Sequence, residues 1–492
     1  MLLKGKMLIK TAEKQDVIHI LILLTIALGI GIYLIGTTVV IAKDGITFIE
    51  YAKNIEIHPQ KTMLEQDQHP GYPAMILGAH KIASLFIEDD SVFSWIYSAQ
   101  SIAMVFRLLA IIVLYFIGKN LVGAKFSFWA VLILIFLPKP AWNGSDALSD
   151  WPHIFFLAVG MLLLIRGAIS KKWWMFGLAG AAGGAGYLIR PECIQVIVYG
   201  LLWLSLQLFW PKHIVSKSKT ALALVLLLIG FCVLAGPYIK LKGAVFPKKK
   251  IVQLQPQVVS ETTYTADVVP SDIGRAFGKL FANIGETLMW FFVPALFIGL
   301  YKSFNKPDRY DPKRFFIIVL VGLNIALMVL LYCKAGYMSG RHTLPLVVFT
   351  VFYIPSGLHI FADLLNKKFF KKGNANSGFM FLMTIGIVIC SPKLFRPLHQ
   401  DKLIFRKAAQ WLAENTQPND VIAVPDVRIS FYSARKWADD KHSPFSQNPQ
   451  YVVRVSKKQE LTEDKKLPLL SNLLFTDQSD SKYRIDIYKP LN

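Results

Sequence analysis

Apolar runs of about twenty residues recur along this chain, separated by short polar segments rich in Lys, Arg, Gly and Pro. A helix of about 20 apolar residues crosses the hydrocarbon core of a bilayer. In lipid, the backbone must satisfy its own hydrogen bonds, so spanning segments are helices. The pattern predicts spans near 17–42, 95–118, 123–138, 150–167, 173–189, 191–211, 219–240, 283–303, 314–333, 342–363 and 378–391. The runs at 123–138, 173–189 and 378–391 are short for a full crossing, so one of them is a candidate re-entrant segment. The first run is long and lacks a small-residue cleavage site, which reads as an anchor helix and not a cleaved signal.

The pattern changes after residue 397. No spanning run follows. The short runs at 420–424, 451–455 and 483–488 look like strands. Phe405 to Asn415 predicts a helix with Ala408, Ala409, Trp411 and Leu412 on its apolar side. The expected fold is an all-α polytopic membrane domain over residues 1–397, with about eleven transmembrane helices, followed by a small α/β domain over 398–492.

Composition agrees. Only 17% of the 492 residues are charged, 54% are hydrophobic and the mean hydropathy is +0.43, which excludes an ordinary soluble protein. The net charge of +22 adds orientation. With a cytoplasmic N-terminus, the inner segments carry Lys4 to Lys14, Lys119 and Lys125, Arg166 to Lys172, Lys212 to Lys219, Lys302 to Arg314, and Lys367 to Lys372. The short outer connections carry few cations, as the positive-inside rule requires. This map predicts a multi-pass protein of the inner (plasma) membrane whose C-terminal domain lies on the outer, periplasmic or extracellular face. The basic excess then reflects topology and contact with anionic membrane lipids, not nucleic-acid binding. Cys193, Cys232, Cys333 and Cys390 lie in or beside apolar runs without metal or disulfide spacing. No internal repeat, P-loop or dinucleotide motif is present.

The unusual polar residues fall in the outer connections. The first, 43–94, opens with Asp44 on an amphipathic segment expected to lie along the membrane surface. Asp44 fits either an N-cap or a general base at the water–lipid boundary. His69-Pro70-Gly71-Tyr72-Pro73 follows; two prolines and a glycine make a rigid turn, from which His69 and Tyr72 are candidate substrate contacts. Asp146 and Asp150, four residues apart, share one face if the fourth helix starts early; either lines a pocket or caps that helix. Arg190 and Glu192 sit at a helix junction after the Gly/Ala run 177–186, which permits close packing. They are substrate contacts or a mutual salt bridge. Arg341 and His342, next to Gly340 at a helix start, suit an anionic ligand such as phosphate. Arg107 falls near mid-membrane and demands an interior partner. The connection 241–282 is long enough for a lid, or for a segment without fixed structure.

Several of these features together resemble a known superfamily. Asp44 opens a D-x-x-x-[FY]-x-x-x-A segment, the His69–Pro73 turn follows, Asp146 to Asp150 precede the fourth helix, Arg190-Pro191-Glu192 ends a glycine-rich helix, and Arg341-His342-Thr343-Leu344-Pro345 opens a late one. In this order, over residues 15–440, the chain resembles the GT-C integral-membrane glycosyltransferases. It is similar to the bacterial family 39 and 83 enzymes, the protein O-mannosyltransferases and lipid A aminoarabinose transferases. The resemblance implies an inverting hexosyl- or pentosyltransferase that moves a sugar from a polyprenyl-phosphate donor to a cell-envelope acceptor (lipid, such as lipopolysaccharide, glycan or protein). It implies Asp44 as catalytic base, cations such as Arg341 and Arg190 for the lipid phosphate, and no resident metal, with a divalent cation left open near the carboxylates. Two positions depart from the pattern: Gly45 stands where some members carry a second acid, and Asp150 where many carry Glu. The acceptor class therefore stays open. A lipid or solute transporter or flippase is the competing class and predicts repeats, broken helices and midplane charges; a polysaccharide polymerase or ligase is chemically close.

Overall fold

The computed structural model describes residues 2–86, 91–209, 216–246, 270–305, 311–369, 375–439, 449–457, 471–477 and 483–490. The membrane part runs α1 Leu2–Gly36, α2 Lys43–Ile57, α3 Pro59–Glu65, α4 Gly71–Ser84, α5 Val92–Val122, α6 Ala124–Phe136, α7 Pro138–Asn143, α8 Asp150–Ser170 and α9 Trp174–Tyr187. It continues with α10 Gln195–Phe209, α11 Lys217–Lys242, α12 Pro270–Thr287, α13 Val293–Phe304, α14 Pro312–Ala335, α15 Leu344–Thr350, α16 Ile354–Phe369 and α17 Ala375–Leu394. Among the described residues, eight helical segments are long and apolar enough to cross a membrane. The chain is a multi-pass membrane protein.

Three expected spans come out differently. The 123–138 run is α6, only 13 residues long, and Ala130 to Ile135 along it are buried. A helix walled in by protein need not match the thickness of lipid. The 173–189 run is α9, with 14 residues. The 283–303 run is not one helix: Met289 and Trp290 take left-handed backbone angles, φ 55° and 57°, and part α12 from α13. The break was invisible to hydropathy because Leu288 to Phe292 are all apolar, and a side chain's polarity says nothing about the sign of φ. The 378–391 run, by contrast, belongs to α17, and its 20 residues suffice to span. Of the connection 241–282, α11 supplies the start and α12 the end, while 247–269, with Pro256 and Lys248 to Lys250, lie outside the described residues.

The glycine run on α9 packs against α11. A Cβ on Gly180 would stand 2.0 Å from the Leu227 carbonyl oxygen, and one on Gly184 2.7 Å from that of Phe231. Backbone cannot yield as a side-chain tip can. Gly180→Ala should therefore cost about 1–3 kcal/mol by overpacking, seen as a lower melting temperature in detergent. Gly78→Ala, with nothing within 4 Å of its Cβ, should leave the melting temperature unchanged or raise it.

Arg107 on α5 is buried, as expected of a mid-membrane cation. Its Nη2 donates to the Ile135 carbonyl at 3.3 Å and its guanidinium lies 6.0 Å from the Trp151 ring centre. Its neighbours are thus a backbone dipole and an aromatic face.

The C-terminal domain comprises α18 Leu403–Asn415, β1 Val421–Val424, α19 Val427–Ser433, β2 Lys436–Asp439, β3 Tyr451–Lys457, β4 Ser471–Asp477 and β5 Tyr483–Pro490. The sheet order is β2-β1-β3-β5-β4; β1 pairs in parallel with β2 and β3, and β5 antiparallel with β3 and β4. The predicted α18, β1, β3 and β5 are all present. The apolar side of α18, Ile404, Phe405, Ala408, Ala409 and Leu412, closes its core against Ile422, Val424, Ile485 and Ile487.

The amphipathic segment after α1 is α2, but its apolar face does not lie on lipid. Ile46, Phe48, Ile49 and Ala52 are buried against Tyr72 and Ile76 of α4, Trp95, Ile96 and Ala99 of α5, and Phe431 of α19. An apolar stripe specifies burial; whether lipid or protein covers it depends on what the fold brings near. Gly45 is explained by the same packing: a Cβ there would lie 2.8 Å from both Cβ and the carbonyl oxygen of Ala147. A second acid beside Asp44 has no room in this arrangement.

Candidate functional site

One end of the helical bundle gathers five of the sequence candidates into a continuous chain of opposite charges. Asp44 occupies the first turn of α2, whose N-cap is Ala42, so its carboxylate is not the cap. It accepts instead from Arg341 Nη1 at 2.6 Å. Arg341 turns its Nε and Nη2 to Asp150 Oδ2, at 3.0 and 2.9 Å. Asp150 Oδ1 accepts from Arg190 Nη1 at 2.8 Å, and Arg190 Nη2 lies 3.5 Å from Glu192 Oε1. Arg190 thus makes the salt bridge expected with Glu192 and a shorter one with Asp150. Burial alone would lower the pKa of both arginines, but Asp150 and Asp44 beside Arg341, and Glu192 and Asp150 beside Arg190, hold both above the ordinary arginine value.

Exposure separates the two aspartates. The Asp150 side chain is 2% exposed and held by two guanidinium groups; that of Asp44 is 52% exposed and held by one nitrogen. Asp150 is the fixed anchor. Asp44 is the carboxylate left open to solvent.

His342 joins the same site. The Ser339 N–H donates to its Nδ1 at 3.2 Å, which requires a neutral ring there and leaves the proton on Nε2. Burial, and then the nearby Arg190 charge, lower its pKa from the ordinary histidine value. Two cavities border this chain of charges, and Arg341 lines both. The larger, about 840 Å³, lies between Ala42, Trp142, Asn143 and Asp146 on one side and Arg396 to Asp401 on the other. The smaller, about 250 Å³, has polar walls of Asp150, Arg190, Glu192, Arg341 and His342, and an apolar wall of Leu327, Met328 and Leu331 from α14.

The remaining candidates stand elsewhere. Asp146 lines the larger cavity but is engaged: Oδ1 accepts from the N–H groups of Ala42 and Ala147 at 3.1 and 2.8 Å, and Oδ2 lies 2.9 Å from His399 Nε2. It does not cap α8, whose N-cap is Ser149. His69 is buried between the rings of Tyr187 and Tyr238, at 4.8 and 5.1 Å, and burial lowers its pKa. Tyr72 is fully buried and donates to the Ala99 carbonyl at 3.0 Å. Both hold the α3–α4 turn in place, and neither hydrogen-bonds the Asp44–Glu192 chain among the described residues.

Sequence reading passed over His153. It lies one turn after Asp150 on α8, lines the smaller cavity at 3% exposure, and its Nε2 has no partner among the described residues. The i+3 spacing from Asp150 was the available signal. Gln195 and Asn324 close the same cavity, joined by a 3.0 Å hydrogen bond. Among the described residues, no three His, Cys, Asp or Glu side chains form a metal-ligand cluster. The oxygens of Asp150 are already committed to guanidinium nitrogens.

Residues 90–235 match a protein-family model described as dolichyl-phosphate-mannose-protein mannosyltransferase. No curated protein sequence matches the chain. Among solved structures, ArnT from Cupriavidus metallidurans bound to undecaprenyl phosphate is similar over 95% of this chain and 97% of its own, at 14% identity and a TM-score of 0.59. The Archaeoglobus fulgidus oligosaccharyltransferase in its apo form is similar over 88% of this chain and 69% of its own, at 11% identity and a TM-score of 0.52. The oligosaccharyltransferase AglB from the same organism, in complex with an inhibitory peptide and a dolichol-phosphate, is similar over 89% and 69%, at 11% identity and a TM-score of 0.53. The chain has the GT-C fold of integral-membrane glycosyltransferases.

Proposed function

We propose that this chain transfers a sugar from a polyprenyl-phosphate donor to a hydroxyl of a cell-envelope acceptor, at the outer face of the inner membrane. The observation that carries the reading is that Arg341 lines both cavities and also holds the exposed carboxylate of Asp44. The smaller cavity, with the guanidinium groups of Arg190 and Arg341 in its polar wall and α14 side chains in its apolar one, suits a phosphate with its first prenyl units. The larger cavity, with Asp146, Arg341, Arg396 and His399 among otherwise largely apolar walls, suits the acceptor. The structural neighbours bound to undecaprenyl phosphate and dolichol-phosphate support a lipid-phosphate donor, and the distribution of Lys and Arg supports the outer-face placement.

In this reading Asp44 takes the proton of the acceptor hydroxyl. The acceptor oxygen bonds to the anomeric carbon as the bond from that carbon to the phosphate oxygen breaks, from opposite faces, so the configuration inverts. The polyprenyl phosphate leaves with the electron pair. Arg341 and Arg190 offset the growing phosphate charge inside a water-poor site, where such contacts count most. His342, with its proton on Nε2, is a further donor to that phosphate. In this reading charge compensation falls to the guanidinium groups.

The test is transfer by the purified protein in detergent, with short-chain polyprenyl-phosphate sugars and cell-envelope extract as acceptor source, followed by mass spectrometry. Release of polyprenyl phosphate coupled to a glycosylated acceptor is the expected result. Failure to consume any such donor, together with failure to bind polyprenyl phosphate, would overturn the reading.

A further inference from the structure

The segment that delivers Asp44 has little structure of its own. Helix α1 ends at Gly36, α2 begins at Lys43, and the α2 N-cap, Ala42, makes no side-chain capping bond. Thr37 and Thr38 bond back to α1, but the amides of Val39, Ile41 and Ala42 are satisfied by long-range partners. Val39 N–H donates to the Leu398 carbonyl at 3.1 Å, and Ile41 N–H to the Tyr432 hydroxyl at 2.9 Å. Ala42 N–H donates to Asp146, whose other oxygen lies 2.9 Å from His399 Nε2. Lys43 Nζ then lies 3.2 Å from Asp426. Every one of these anchors, Asp146 excepted, follows the last membrane helix, and Asp146 is itself tied to His399.

The anchors are held in turn. His399 takes a left-handed backbone, φ 53°, that a non-glycine residue adopts only when its surroundings impose it. Tyr432 is gripped by Arg406, whose guanidinium lies 4.5 Å from its ring and 4.3 Å from that of Phe93 on α5. Arg428 donates twice to Asp426, at 2.9 and 2.8 Å; against the opposing effect of burial, this contact keeps the Asp426 carboxyl below its ordinary pKa. Phe431 completes the apolar core beneath α2.

We infer that the C-terminal domain is a positioning device for Asp44: Tyr432 and the His399–Asp146 pair clamp the connector 39–43 and so set where the carboxylate stands relative to Arg341. Docking of this domain is then part of assembling the site. The larger cavity lies between the two clamped parts, with Ala42 and Asp146 on one wall and His399 on the other, so an acceptor entering it touches the clamp directly. The role assigned to Asp44 rests on the transferase reading; the clamp itself does not.

The test uses the full-length protein with Tyr432→Phe, His399→Ala and the double variant, and His399→Gln, which keeps a side-chain N–H for Asp146. Hydrogen exchange of the peptide covering residues 37–50 should accelerate at least about tenfold in the double variant, because both amide partners are lost or loosened. Turnover should fall about tenfold to a hundredfold, the scale of a misplacement near 1 Å, with the donor KM within about twofold because Arg190 and Arg341 are untouched. His399→Gln should recover most of the His399→Ala loss. Unchanged exchange over 37–50 would overturn the clamp. Faster exchange with unchanged turnover would overturn its role in positioning Asp44, and so would a loss confined to KM. If the wild-type chain turned over no donor, the transferase reading would fall while the exchange measurement still decided the clamp.

Discussion

Asp44→Asn is expected to lower turnover about a thousandfold, within the range a general base contributes, while the donor KM moves by no more than a few-fold. The asparagine keeps an oxygen that Arg341 can donate to, and Arg341 remains anchored to Asp150 through two nitrogens. The local packing survives for the same reason: Gly45 and Ile46 hold the first turn of α2 against Ala147 and the core below it. What is lost is the ability to take a proton. Single-turnover and steady-state kinetics with a defined polyprenyl-phosphate sugar separate the two effects. Wild-type turnover in a variant with a wild-type melting curve would remove Asp44 as the base.

Arg341→Met should damage the fold as well as the reaction. It strips two of the three guanidinium contacts from Asp150, a carboxylate 2% exposed, and leaves Asp44 unpaired. Breaking a buried ion pair by removing one partner costs about 3–5 kcal/mol, so a large drop in melting temperature is expected alongside loss of transfer. Arg341→Lys keeps the charge but not the fork. One ammonium cannot reproduce the Nε and Nη2 contacts to Asp150 while reaching Asp44. It should therefore retain more stability than Arg341→Met yet remain well below wild type in kcat/KM. A melting temperature for Arg341→Met equal to that of wild type would show that the pairing contributes nothing to stability.

The predicted site residues divide by the physical signal each carried. Asp44, Asp150, Arg190, Glu192, Arg341 and His342 were legible because a charge beside a membrane span needs a reason, and their common face followed from the alternation of basic loops. His69 and Tyr72 were legible as a rigid turn, but not as buried pins against Tyr187 and the Ala99 carbonyl. His153 and His399 were missed. The first looks like one polar residue in an apolar helix, and the second follows the last span with no pattern around it.

Hydropathy and charge order were enough for the membrane class, for most of the spans and for the α/β character of the C-terminal domain, because burial of side chains at period 3.6 or 2 leaves a local trace. The break at Met289 and Trp290, the covering of α2 by protein instead of lipid, and the Asp44–Arg341–Asp150–Arg190–Glu192 chain left none. Asp44 and Arg341 are 297 residues apart, and Ile41 and Tyr432 are 391 apart. Contacts of that range depend on how helices pack and on which backbone groups are left unsatisfied between them. No periodicity records that, so only the tertiary structure decides which carboxylate meets which arginine.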